Sequence, residues 1–322
     1  MPAMRALLVV NHRATTTSGR VRDVLVQALR SEVDLDVAYT KRRGHAASLA
    51  EQAVKDGVDV VVALGGDGTV NEIVNGLLID GPGPGVPALA VVPGGSTNVF
   101  ARAIGLPNDW VEATGVLLEA LRAGRSRTIG LGRADDRYFT FCAGFGLDAE
   151  VIRKVEQARR RGTTSTPLLY FRALAGQYLA PGSRTRGRIT LERPGEAADP
   201  DLDTVIVQNT TPWTYLGKRP IDACPDASFD LGLDLLGVRS LHTPGFARTL
   251  GQLLMPDGMA PHSARLDRTR GPHGKSVLTL HDTAEFTLYA DAPRALQLDG
   301  DYLGERDKVR FVAVPTALRV IW

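Results

Sequence analysis

Cysteine is scarce: Cys142 and Cys224 are the only two in 322 residues. They lie far apart without ligand-type neighbours, which argues against a disulfide framework or a structural zinc site and fits a reducing cytosol. Long apolar runs are missing too. No segment reaches the roughly 18 to 20 uninterrupted apolar residues of a spanning helix, so any membrane contact is expected to be peripheral. The short run Ala6 to Val10 leads into a fold rather than to a cleavage site, and reads as a first strand and not as a signal. An excess of charge of one sign is also lacking. The net charge of +2 gives no general field for nucleic acid, which is therefore not expected as a partner. No G-x-G-x-x-G follows the first strand, which weakens a dinucleotide dehydrogenase reading.

What is present is the profile of a soluble globular chain, 43% hydrophobic and 23% charged, whose length suggests two domains. The chain is organised around Val58 to Leu77, VDVVVALGGDGTVNEIVNGL. Its near-continuous apolar start suits a strand buried on both faces of a parallel sheet. A turn of Gly65, Gly66, Asp67 and Gly68 follows, and then apolar residues at helical spacing. Thr69 and Glu72 read as a T-x-x-E capping box that opens this helix. Glycines let the backbone approach a ligand, and the helix start adds partial positive charge, so a phosphate chain is the expected ligand. A carboxylate would repel phosphate unless a cation stands between them, which makes Asp67 a candidate for holding Mg²⁺. The plain alternative is an ordinary turn whose aspartate caps the helix.

Residues 5 to about 125 alternate between strand and helix patterns: strands at Ala6 to Val10 and Leu35 to Tyr39, helices at Val21 to Leu29 and His45 to Val54, then the central stretch. Such alternation gives a parallel sheet with right-handed crossovers, and ligands bind beyond the C-terminal ends of its strands. Those ends carry Asn11, Thr40 and Gly65 to Thr69. The next strand, Ala88 to Val92, runs into Pro93, Gly94, Gly95, Ser96, Thr97 and Asn98, a second glycine turn that opens a helix with hydroxyls and an amide able to donate to phosphate. Two phosphate-type turns then face one edge.

T-x-x-x-G-H-A at Thr40 to Ala46, GGDGTVNE at Gly65 to Glu72 and PGGSTNVFAR at Pro93 to Arg102, in this order, resemble the soluble diacylglycerol kinase and sphingosine kinase superfamily. The resemblance implies an ATP-dependent lipid kinase with an N-terminal α/β nucleotide-binding domain and a C-terminal β-sandwich, ATP and lipid meeting in the cleft between them. It divides the chain at 1–126, 127–306 and a returning segment, 307–322. ATP and Mg²⁺ are the implied cofactors, with Asn11, Thr40, Gly65 to Thr69, Glu72 and Gly94 to Asn98 around the nucleotide. A lipid alcohol, diacylglycerol by default, is the implied acceptor. The implied location is cytoplasmic, at the inner face of the membrane. The oligomeric state stays open, a homodimer included.

After Arg125 the pattern turns to strands. A hairpin is expected from Thr128 to Arg133 and Tyr138 to Ala143, and further strands at Arg188 to Glu192, Thr204 to Val207, Leu231 to Leu236, Val277 to Leu280, Glu285 to Tyr289, Leu296 to Leu298, Val309 to Val314 and Leu318 to Ile321. Two packed sheets would bury them. Val151 to Arg161, rich in arginine, and the apolar stretch from Leu168 to Leu179 read either as a packed helix or as a surface for anionic bilayers.

GFGLDAEV at Gly144 to Val151, Asn209 and PDASFDLGLD at Pro225 to Asp234 resemble further family segments, with Asp230 as an implied metal carboxylate. The chain departs from the pattern where Trp213, Tyr215, Leu216 and Gly217 replace a glycine cluster. Leu298-Asp299-Gly300-Asp301 resembles the family's D-G-E, with Asp301 in place of glutamate. Because aspartate is shorter, Asp299 is expected to be the principal base and Asp301 an accessory. Locally the same residues read as a hairpin turn. Two other functions stay in view. An NAD kinase shares the GGDGT turn, but PGGSTN stands where its second motif would read N-x-G-x-L-G-F-L. A lipid-binding relative without activity is the other.

Overall fold

The computed structural model describes residues 4–11, 19–147, 149–150, 153, 188–239, 251 and 271–322. The chain divides into two compact units, one of Met1–Leu131 with Val314–Trp322 and one of Gly132–Ala313. The first is α/β and the second is a β-sandwich-type unit of antiparallel strands.

In the first unit the order is β1 (Arg5–Val10), α1 (Gly19–Arg30), β2 (Asp34–Tyr39), α2 (His45–Lys55), β3 (Val60–Gly65), α3 (Asp67–Leu77), β4 (Ala88–Pro93), α4 (Val99–Ala103) and α5 (Trp110–Ala123). The strands pair in parallel in the order β4-β3-β1-β2, and Val320 of the chain's last strand adds to β4 beside Leu89. All residues of β3 and β4 are buried, as their apolar runs require of strands covered on both faces. Leu8, Val62, Leu64, Ala90 and Val92 pack with Leu25, Leu29, Leu117 and Ile321 into one core.

Helix α3 starts earlier than the T-x-x-E pattern suggests. It begins at Asp67, after Gly66, with no side-chain hydrogen bond at its cap. Thr69 and Glu72 do not form a capping box, because both side chains are engaged with other elements. Helices α2 and α3 touch closely at Gly76, where a Cβ would lie 2.1 Å from the Ala47 carbonyl oxygen. Helix α5, absent from the sequence expectation, is capped by Asp109, whose carboxylate accepts from the N–H groups of Val111 and Glu112.

The second unit contains β5 (Ser126–Ala134, its last residues), β6 (Arg137–Phe139), β7 (Cys142–Phe145), β8 (Ile189–Glu192), β9 (Asp199–Leu202), β10 (Thr204–Gln208), β11 (Thr214–Leu216), β12 (Arg219–Ile221), β13 (Leu233–Val238), β14 (Val277–Thr283), β15 (Glu285–Leu298) and the start of β16 (Asp301–Ile321). Its main path is β14-β13-β10-β7-β15-β16, with β8 and β9 continuing from β15. Phe286 and Phe311 stack at 5.2 Å within a core that includes Phe139, Phe145, Leu235 and Leu288.

The expected hairpin forms, but its second strand does not run on to Ala143. It stops at Phe139 and resumes at Cys142, because the N–H groups of Thr140, Phe141 and Cys142 turn to the Asp299 carboxylate. Conversely, the two runs within Glu285 to Leu298 form one strand with a register shift between Tyr289 and Arg294. Strands β9, β11 and β12 have no counterpart in the sequence reading. The basic amphipathic stretch beyond Val151 lies outside the described residues except for Arg153, which pairs with Glu305 at 3.5 Å. Among the described residues no helix is long and apolar enough to cross a membrane.

The Gly76 contact gives a paired test. Gly76→Ala is expected to destabilise the protein by about 1–3 kcal/mol, because backbone must shift to admit the methyl group. Gly115→Ala, in α5 with no atom within 4 Å of the added Cβ, is expected to stabilise by about 0.4–1 kcal/mol. Urea midpoints measure both; equal midpoints for the Gly76 variant and the parent would contradict the packing argument.

Candidate active site

In the first unit the parallel register brings the expected residues to one edge. Asn11 follows β1, Thr40 follows β2, and the two glycine turns lie at the ends of β3 and β4. The turns meet backbone to backbone. The N–H of Gly94 donates to the Gly65 carbonyl at 2.8 Å. A Cβ on Gly95 would lie 2.7 Å from Cα of Gly66, and one on Gly94 would lie 3.1 Å from Cα of Gly65. These glycines are therefore required by each other before any ligand is considered.

The polar side chains of this edge mostly tie elements together. Asn11 Nδ2 donates to Thr69 Oγ1 at 3.0 Å, joining the end of β1 to α3. The N–H of Thr40 donates to the Val10 carbonyl, and the Thr40 side chain is buried. Glu72 accepts from the N–H groups of Gly44 at 2.7 Å and Ala46 at 3.1 Å, so it caps the neighbouring helix α2. Asp67 acts likewise on α4: its two oxygens accept from Val99 and Phe100, each at 3.0 Å. Asn98, held at φ +49, accepts from Gly95 N–H and donates to the Gly95 carbonyl and to Asn108.

The sequence reading offered Gly94, Gly95, Asn98 and Glu72 as direct ligand donors or contacts. The structure commits the Gly94 and Gly95 N–H groups and the Asn98 and Glu72 side chains to shaping the edge. The same edge also carries the start of α3, whose dipole gives it partial positive charge, and the Ser96 and Thr97 hydroxyls. Ser96 is exposed, and Gly66, Asp67, Gly68 and Thr97 are half-buried.

In the second unit Asp299 and Gly300 form the two-residue turn between β15 and β16. Their φ values of +49 and +82 are those of the primed hairpin turn, with Leu298 and Asp301 paired across it. The local hairpin reading therefore holds. Asp299 is also buried, at 3% exposure. Its Oδ2 accepts from Thr140 N–H at 2.7 Å and Thr140 Oγ1 at 2.9 Å, and its Oδ1 from Phe141 N–H at 3.0 Å and Cys142 N–H at 3.2 Å. Asn209 Nδ2 in turn donates to the Thr140 carbonyl at 2.9 Å. These four hydrogen bonds fix the carboxylate and the turn firmly. Asp301, the first residue of β16, is half-buried. Thr140 escaped the sequence reading because its partner lies 159 residues later.

Asp230 lies exposed in the turn before β13, its N–H donating to Ser228 Oγ at 3.3 Å. Among the described residues no group of three or more His, Cys, Asp or Glu side chains is arranged to hold a metal. The buried acid of that segment is Asp234, which holds His281 Nδ1 at 2.9 Å and the Asp282 N–H at 3.0 Å. The Asp234 hydrogen bond raises the His281 pKa above its ordinary 6.5. Burial pushes the nearby Cys224 thiol well above its ordinary range, so it is an inert core group rather than a nucleophile. For magnesium the donor set is smaller than a cage: one carboxylate, Asp67, beside the phosphate-type turns. Magnesium commonly sits on one or two carboxylates plus phosphate oxygens and water.

Residues 5–134 match the family model described as the diacylglycerol kinase catalytic domain. The diacylglycerol kinase of Staphylococcus haemolyticus (strain JCSC1435) is 33% identical over 149 residues, 46% of this chain and 42% of that protein. The diacylglycerol kinase of Staphylococcus aureus (strain JH9) is 36% identical over 129 residues, 40% of this chain and 39% of that protein. The chain thus spans less than half the length of these relatives in the match. A solved diacylglycerol kinase from Bacillus anthracis str. Sterne superposes over 100% of this chain and 98% of its own, with a TM-score of 0.70 at 19% identity, a likeness of fold.

The Asp67 cap is open to test. Asp67→Ala leaves two helix N–H groups without their acceptor and is expected to cost about 1–3 kcal/mol, with Asp67→Asn costing less because one acceptor oxygen stays. Calorimetric melting of both variants measures this; an Ala variant that melts with the parent would remove the cap from the account.

Proposed function

Because the chain belongs, through residues 5–134, to the diacylglycerol kinase and sphingosine kinase superfamily, we propose that it is an ATP-dependent lipid kinase. It transfers the γ-phosphoryl group to a lipid hydroxyl, with diacylglycerol as the first acceptor to try and phosphatidic acid as its product. The observation that carries this reading is the pair of glycine turns stacked at one sheet edge, with the start of α3 beside them.

Phosphoryl transfer asks little covalent chemistry of a protein; positioning and charge stabilisation do most of the work. In this reading the N–H groups at the start of α3 and the Ser96 and Thr97 hydroxyls donate to phosphate oxygens. Asn11 and Thr69 lock the strand end against the helix so that these donors keep their places. Asp67 is the residue assigned to Mg²⁺, directly or through water, while its bonds to α4 hold it still. Magnesium, when bound, neutralises charge developing on the phosphoryl oxygens. Asp230 receives no role. Contact with the bilayer is peripheral, at an anionic cytoplasmic surface.

For the acceptor proton we favour Asp301, with Asp299 as the residue that positions it. Asp299 already satisfies four donors and sits in a backbone conformation that pins the turn. Asp301→Asn is expected to lower phosphorylation at least about a hundredfold, the scale of a lost general base, with melting and ATP binding unchanged. Asp299→Asn, which turns an amide donor toward backbone N–H groups, is expected to lower melting temperature and activity together. Labelled ATP with a panel of lipids in mixed micelles measures both. A fully active Asp301→Asn would overturn the base assignment, and a parent protein that binds ATP but phosphorylates no lipid would overturn the kinase reading.

A further inference from the structure

Between β10 and β13 the chain leaves the main sheet and builds a small hairpin. Strands β11 and β12 form a two-stranded sheet of their own, with Leu216 and Arg219 paired across Gly217 and Lys218, and Gly217 at φ +66. A lone two-stranded hairpin is marginal in water, and this one is anchored at its base. Trp213 packs on a small core of Ile206, Ala223, Cys224, Ala227 and Leu236, and its backbone N–H donates to the Ile221 carbonyl at 3.0 Å. The Thr211 hydroxyl donates to the Asp222 carboxylate and closes the base.

The tip is built differently. Leu216 is 47% exposed, Gly217, Lys218 and Pro220 are exposed, and Arg219 and Tyr215 are half-buried. From Thr210 to Ile221 the sequence, TTPWTYLGKRPI, holds two cations and no acid. A single exposed leucine is ordinary on any surface. At a turn tip, flanked by Lys218 and Arg219 and followed inward by Tyr215 and Trp213, it becomes an apolar point within a positive collar, with amphipathic aromatics behind it. A bilayer interface offers the complement in the same order: acyl chains for the leucine, anionic head groups for the cations, and the boundary region that Tyr and Trp favour. A second copy of the hairpin would bring like charges together and is disfavoured.

We propose that the β11–β12 hairpin is a membrane-docking element, whose Leu216 tip inserts at the surface of an anionic bilayer while Lys218 and Arg219 bind its head groups. The inference rests on the lipid-kinase reading for its bilayer.

The test uses the full chain with vesicles of phosphatidylcholine, alone or mixed with phosphatidylserine, read by co-sedimentation, alongside phosphorylation of a short-chain, water-soluble diacylglycerol. The parent is expected to bind the anionic vesicles and to release as salt rises. The double variant Lys218→Gln/Arg219→Gln is expected to bind them roughly thirtyfold more weakly, from about a fivefold loss per cation. Leu216→Asp is expected to lose at least about tenfold. Both variants should melt with the parent and phosphorylate the soluble acceptor as well as it does. Leu216→Trp, a gentler change, should gain fluorescence quenching by brominated lipids. Variants that bind as tightly as the parent, a Leu216→Trp tip unquenched on bound vesicles, or a Leu216→Asp change that splits a dimer and spares vesicle binding would overturn the docking role. Activity on the soluble acceptor with no vesicle binding would overturn it and leave the kinase reading standing. Vesicle binding lost in the variants, from a parent inactive on every acceptor, would do the reverse.

Discussion

The first unit depends on one close contact, the backbone-to-backbone approach of the turns after β3 and β4. Parallel strands lie about 4.8 Å apart, and two turns that leave adjacent strands in the same direction compete for the same space. Glycine at Gly66, Gly94 and Gly95 removes the side chains that would collide with the facing turn, glycine at Gly65 leaves room for the Thr69 side chain, and the Gly94 to Gly65 hydrogen bond joins the turns. The result is one continuous edge rather than two separate loops. An anion at this edge would meet donors from both turns already in place, which is the preorganisation that charge stabilisation requires.

Acidic side chains fix the surroundings, and they do so across elements. Asp67 and Glu72 sit on α3 yet satisfy the first N–H groups of α4 and α2, which places three helix starts in register with the strand ends. Each carboxylate also suits the positive end of a helix dipole. The second unit repeats the device in another setting. Asp299 gathers three backbone N–H groups and a hydroxyl, interrupts the strand from Tyr138, and thereby holds the turn that presents Asp301.

The α/β order of the first unit was legible because each level of the sequence agreed. Apolar runs marked buried strands, helical spacing marked their crossovers, and glycine clusters marked the turns that end β3 and β4. The same residues could not reveal their partners. Thr69 and Glu72 satisfy a local capping rule, but tertiary contacts to Asn11 and to α2 claim both side chains. Asp299 announces a hairpin turn by its glycine neighbour, whereas its burial depends on Thr140, far away in the chain and without a local signature. Hairpin β11–β12 went unread because its strands are too short for alternation to register, and its Gly-Lys turn is weaker in sequence than Asn-Gly or Asp-Gly.

The central claim is that the two glycine turns act as one anion-holding edge in an ATP-using protein. The most direct measurement is a titration of isotope-labelled protein with ATP and magnesium, following each backbone amide by NMR. The account predicts that the largest shifts fall on the amides of Gly66, Asp67, Gly68, Ser96 and Thr97 and saturate together with one affinity. Shifts that cluster elsewhere, or that appear at one turn and not the other, would contradict it.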